Sequence, residues 1–197
     1  MKTVYFISHP EIVMNPHVPV TQWPLSDVGI MRMRQMLKQP WINAITAIYC
    51  STEQKAMDGA RILANHLGVG CAIHEGIGEV DRSSTGFLPP PEFEKAVDQL
   101  FGHPEKSFRG WETAVAAQQR IVNAIDEVIR NDMSRGNIAL VSHGGVGALY
   151  LSYLQDIPIS RDADQPGTGG GNYFSFEAES RQLLTQWLPI DQDSANP

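Results

Sequence analysis

Two apolar runs, far apart in the chain, end on the same pair of residues. TVYFI (residues 3–7) leads into Ser8-His9, and NIALV (137–141) leads into Ser142-His143. Ending a strand needs no histidine, because Gly, Asn, Asp or Pro suffices. A third β-rich run, ITAIYC (45–50), ends at Ser51. Helical patterns lie between the runs. Ser26 is placed to cap a helix through SDVGIMRMRQMLKQP that Pro40 stops. In STEQKAMDGARILANHLG, the residues Ala56, Ala60, Leu63 and Leu67 recur at helical spacing between a Ser51 or Thr52 cap and Gly68. Further expectations are a short strand at 69–74, a helix at about 112–132 with Val115, Val122, Ile125 and Ile129 on one face, and a helix at 144–154. The stretch GTGGGN (167–172) reads as a flexible connection, NYFSFE and QLLTQWL as closing strands, and the tail from Asp191 as frayed.

Strand alternating with helix predicts an α/β fold of three layers, a mainly parallel central sheet with helices on both faces. At 197 residues, 42% of them hydrophobic, residues 1–197 are expected to form one domain. Residues 75–110, rich in Gly and Pro with a short helix at 91–101, read as an excursion over the sheet edge. Sheets of this kind hold ligands beyond the carboxyl ends of their strands. The rule gathers Ser8, His9, Lys55, Glu79, Arg82, Ser142, His143 and Gly144 at one crevice, where two helix N-termini favour an anion.

The net charge of −7 argues against a nucleic-acid or anionic-membrane surface, and leaves room for a small anionic substrate if positive charge is concentrated locally. MKTVYF leads directly into a core strand without a signal-peptide pattern, and no apolar stretch approaches the ~20 residues of a membrane span. Cys50 and Cys71 form no CxxC pair and read as two reduced, buried thiols. The expectation is a cytoplasmic protein without metal or cofactor, and a homodimer is compatible with it.

The order and spacing of these motifs resemble the histidine phosphatases, or phosphoglycerate mutase-like proteins, over nearly the whole chain. Ser8-His9-Pro10-Glu11 is similar to that family's Arg-His-Gly-Glu, and Leu25 to Gly29 to its Leu-Thr-x-x-Gly. Ser51 to Ala56 is similar to Ser-Pro-x-x-Arg-Ala, Gly110-Trp111-Glu112-Thr113 to Gly-Glu-Ser with one insertion, and Ser142 to Gly145 matches Ser-His-Gly-Gly. Asn172 fits the start of the last core strand. The resemblance implies a phosphomonoester hydrolase in which His9 attacks the phosphoryl group, His143 stabilises it and Glu79 protonates the leaving oxygen, with Asp81 and Glu112 as rivals for the last role. It places Ser8, Lys55, Ser142 and Gly144 at substrate-binding positions, and Arg82, reaching in from the excursion, is counted with them.

The departures fall at the phosphoryl-binding positions. Ser8 and Lys55 stand where the family has arginines, so two bidentate grips are missing, and Pro10 removes one backbone N–H. Losing one such donor costs about 3 kcal/mol in a charge-stabilising site. Arg82, Arg32, Arg34 or Arg109 could compensate, as could His17. Trp111, Phe87 and Phe108 are candidate walls for a substrate. The alternative is a weak or inactive member that binds a phosphorylated ligand or a protein partner. A serine hydrolase is disfavoured because Leu140 stands where a nucleophile elbow needs glycine. Mutase chemistry lacks the basic cluster that a bisphosphorylated intermediate requires.

Overall fold

The computed structural model describes residues 1–192. Eleven elements follow one another as β1 (Thr3–Ser8), α1 (Asp27–Met36), β2 (Ile45–Cys50), α2 (Gln54–Leu67), β3 (Cys71–Ile73), α3 (Pro90–Gly102), α4 (Ala114–Asn131), β4 (Asn137–Ser142), α5 (Gly144–Leu154), β5 (Asn172–Glu177) and β6 (Leu183–Pro189). The sheet order is β3-β2-β4-β1-β5-β6. β1, β2, β3 and β4 run parallel, and β5 and β6 join antiparallel at one side.

Alternating side chains place one core on each face of the sheet. Phe6, Ile138, Leu140 and Phe174 pack with Ile121, Ile125 and Leu149 from α4 and α5. Ile7, Ala139, Val141 and Ile48 pack with Met33, Met36 and Leu63 from α1 and α2. The register carries the functional consequence. Ser8 pairs with Ser142 and Cys50 with Val141, so His9, Ser51 and His143 leave the sheet side by side.

Several local expectations hold for their stated reasons. Ser26 Oγ accepts the Gly29 N–H, and Gly68 closes α2 at φ 67°. Others do not. α2 begins after Glu53, because the Ser51 hydroxyl is turned toward His143 and accepts only the Glu53 N–H, ahead of the helix. β3 shrinks to three exposed edge residues, so Cys71 is exposed and only Cys50 is a buried thiol. Val115 is exposed, and α4 instead buries Ala114, Ala117 and Ile121 ahead of Val122 and Ile125.

The glycine run is not a loose connection. Gly171 donates its N–H to His9 O at 3.0 Å, and a Cβ on Gly170 would stand 2.2 Å from that oxygen. Asp191 belongs to the fold as well. It pairs with Arg32, which also bonds Glu11 and the carbonyls of Gly170 and Gly171. The rest of the expected frayed tail, from 193, lies outside the described residues. No helix among the described residues is long and apolar enough to cross a membrane.

Candidate active site

β1 and β4 bring the two histidines together: the His9 and His143 rings lie 5.2 Å apart at 71°. His9 Nδ1 is 2.8 Å from Pro10 O. A carbonyl only accepts, so Nδ1 carries the hydrogen and Nε2 keeps its lone pair. His143 is fully buried, with Nε2 at 2.7 Å from Ser51 Oγ, while its Nδ1 has no partner among the described residues. Ser51 Oγ also accepts the Glu53 N–H at 3.3 Å.

Burial, followed by the neighbouring His143 and Lys55, pushes the His9 imidazole down to about 3. Burial and the cations Lys55, Arg120 and Arg82 hold His143 well below 6.5. Both rings are neutral in the folded chain at pH 7. Below 6.5 the unfolded chain binds protons that the folded chain refuses, so stability is intact above pH 6.5 and falls as pH drops toward about 3. Urea midpoints measured between about pH 7.5 and pH 4.5 should decline for the wild type and decline less for His9→Gln. Equal declines in the two proteins would refute this origin.

Glu79 arrives from the loop after β3 and caps α5. Its carboxylate accepts N–H groups from Val80 at 2.9 Å, Gly145 at 3.0 Å and Val146 at 2.9 Å. A Cβ on Gly145 would lie 2.6 Å from Glu79 Oε1, so a bare residue is required there. Burial raises the Glu79 pKa, and Glu53 adds to the rise against the three N–H bonds. Arg120 holds the loop by bonding the carbonyls of Gly76, Gly78 and Glu79 and the Glu112 carboxylate. This occupies Glu112, while Asp81 accepts the Ser83 N–H at an exposed position. Glu79 differs from both rivals in being bonded to the first turn of α5, directly after His143.

Several expected binding residues are also engaged by the protein itself. Ser142 Oγ donates to Ile77 O, and the buried Ser8 hydroxyl faces Gln165 and Asn172. Gly144 opens α5 beneath the Gln165 side chain. Lys55 is buried, ion-paired with Glu53 and bonded to Val20 O at 3.1 Å. Of the candidate arginines, Arg82 alone stays uncommitted near the site. Its guanidinium carbon lies 4.7 Å from the Phe93 ring centroid, and it makes no hydrogen bond or ion pair among the described residues. The acidic groups it senses are Glu79 and Glu53. Arg32 is consumed by Glu11 and Asp191, while Arg34, Arg109 and His17 are exposed. Trp111 is core, with Nε1 bonded to Thr85 Oγ1, and Phe108 packs against it. Phe87 stacks obliquely near Trp23 at 5.8 Å.

Sequence reading missed Glu53 and Gln165. Glu53 Oε1 accepts the Glu79 N–H at 3.1 Å and lies 3.4 Å from His143 Nε2, tying lysine, glutamate and histidine into one buried cluster. Its position between Ser51 and Lys55 at the end of a strand was the available signal. Gln165 gave none, being separated by 157 positions from the Ser8 it contacts.

A family model of the histidine phosphatase superfamily (branch 1) matches residues 4–185. The fold is similar to mycobacterial glucosyl-3-phosphoglycerate phosphatase with inorganic phosphate, at TM-score 0.79 and 15% identity over 98% of this chain and 100% of that one. It is similar to Bacillus stearothermophilus YhfR, at TM-score 0.79 and 18% identity over 98% and 100% of the two chains. A putative alpha-ribazole-5'-P phosphatase from Escherichia coli aligns at TM-score 0.71 and 17% identity over 99% of each chain. No curated protein sequence matches significantly.

Proposed function

This chain belongs to the histidine phosphatase superfamily, and from that premise we propose that it is a phosphomonoesterase working through a phosphohistidine on His9. One observation carries the reading: the Pro10 carbonyl fixes the His9 tautomer so that Nε2 is a neutral nucleophile beside His143. The Nε2 lone pair attacks phosphorus as the bond to the leaving oxygen breaks, and that oxygen takes a proton from Glu79. Water then attacks the phosphorus and gives its proton to Glu79. The P–N bond breaks, inorganic phosphate leaves and His9 is again neutral. His143, through its unpartnered Nδ1, and Arg82, through its uncommitted guanidinium, supply donors to the phosphoryl oxygens.

The raised pKa of Glu79 suits an acid that must be protonated part of the time. A general acid matters most when the leaving group is poor. Glu79→Gln should therefore lower kcat/KM about a hundredfold for an alkyl phosphate and much less for p-nitrophenyl phosphate. Equal losses on both substrates would remove Glu79 from the acid role. A wild type that binds inorganic phosphate but hydrolyses neither ester would reject the enzyme and leave a phosphate-binding protein. The buried pairing of Lys55 with Glu53, which cancels a cation at the site, is the observation that favours this second reading.

A further inference from the structure

The side chain of Gln165 lies against Ser8 at the end of β1. A chain of hydrogen bonds fixes its orientation. Asn172 Nδ2 lies 3.2 Å from Pro166 O and 3.3 Å from Gly170 O, and both of these atoms only accept. Asn172 Nδ2 is therefore a donor, and its third contact, at 3.1 Å, must be the acceptor Oε1 of Gln165. Ser8 Oγ takes the Asn172 N–H at 3.0 Å and donates to the same Oε1 at 2.6 Å. With its oxygen holding two donors, the Gln165 amide turns its NH2 the other way.

That nitrogen stands over the first turn of α5. A Cβ on Gly144 would lie 1.9 Å from Gln165 Nε2, so residue 144 must be glycine for the amide to lie there. Gly144 follows His143 directly, and its own N–H has no intrahelical partner. No hydrogen bond from Gln165 Nε2 is formed among the described residues, so two N–H groups remain for a ligand. The segment carrying Gln165 is itself anchored. Arg161 binds Glu94 and Asp98 of α3 together with Asp164, and Trp187 Nε1 donates to Ala163 O.

We propose that the side-chain amide of Gln165, aimed by Ser8 and Asn172, donates to a phosphoryl oxygen and takes the place of the guanidinium that position 8 lacks. The proposal rests on the crevice binding a phosphoryl group. A neutral carboxamide suits a site that already holds Glu53, Glu79 and Lys55, because it adds donors without another buried charge.

The test compares wild type, Gln165→Ala and Gln165→Glu by calorimetric titration with inorganic phosphate and by turnover of p-nitrophenyl phosphate. Gln165→Glu keeps the acceptor that Ser8 and Asn172 need, exchanges the NH2 for an oxygen and adds a negative charge. A merely structural role predicts normal phosphate binding in the uncharged Gln165→Ala once it is folded, whereas a donor role predicts a loss in both variants. Phosphate Kd should rise about 10- to 100-fold in Gln165→Ala and further in Gln165→Glu, with kcat/KM falling in parallel. The thermal midpoint of Gln165→Glu should stay near the wild type. If both variants bind phosphate as tightly as the wild type, Gln165 is not a ligand-binding residue and the phosphatase reading stands. If the wild type itself binds no phosphate, both readings fall together.

Discussion

His9→Ala should lose about 10^4-fold or more of the phosphatase turnover while still binding inorganic phosphate. The asymmetry follows from the proposed mechanism. There His9 contributes the attacking Nε2, whereas affinity for the phosphoryl oxygens comes from groups around it: His143, Arg82, Lys55, the Gln165 amide and the start of α5. Without the nucleophile, water must displace the leaving group in one step instead of two, and the neighbouring donors remain to hold the ester. A second readout is independent of rate. Rapid quenching of the wild type during turnover should trap an acid-labile phosphoryl group on the chain, and His9→Ala should trap none. Equal turnover by the two proteins would exclude a covalent route through His9. Trapped phosphate in the alanine variant would move the nucleophile elsewhere.

Lys55→Met should cost about 3–5 kcal/mol of folding stability, a fall in thermal midpoint of about 10 °C, together with much of the phosphate affinity. Lys55 and Glu53 are buried together, and Glu53 also lies 3.4 Å from His143 Nε2. Removing the lysine leaves a carboxylate without its counter-ion in a place that water does not reach. The double variant Glu53→Gln/Lys55→Met separates the two effects. It removes both charges, so most of the stability should return, while phosphate affinity stays low because the cation is still gone. If the single variant melts like the wild type, the pair is energetically neutral. If the double variant recovers phosphate affinity, Lys55 contributes nothing to the anion.

The legible part of this molecule was what local pattern dictates. The runs ending at His9, Ser51 and His143 announced strands, and the parallel register that aligns them follows once helices separate them. Ser26 and Gly68 marked helix ends through backbone needs that depend on few neighbours. The illegible part was decided by partners distant in sequence. Ser8, Ser142 and Lys55 read as ligand-binding groups, and each is also engaged by the protein: by Gln165 and Asn172, by the Ile77 carbonyl, and by Glu53 with Val20. A hydroxyl or ammonium at a strand end satisfies whatever the fold brings nearest, and spacing does not encode that choice. Arg82 was separable from Arg32 only by the ion pairs that occupy Arg32.

Every polar group of Glu79 is held by something other than the segment that follows it, apart from one bond to the Val80 N–H. Its N–H is taken by Glu53, its carbonyl by Arg120 and its carboxylate by the start of α5. The stretch from Ser83 to Gly110 can therefore change length and composition without disturbing the Glu79 carboxylate. In such an arrangement chemistry and substrate choice evolve separately: the strand ends and helix starts form a fixed chassis, and the covering segment is an interchangeable part. Grafting that segment from one member of the superfamily to another should transfer substrate preference more readily than it transfers rate.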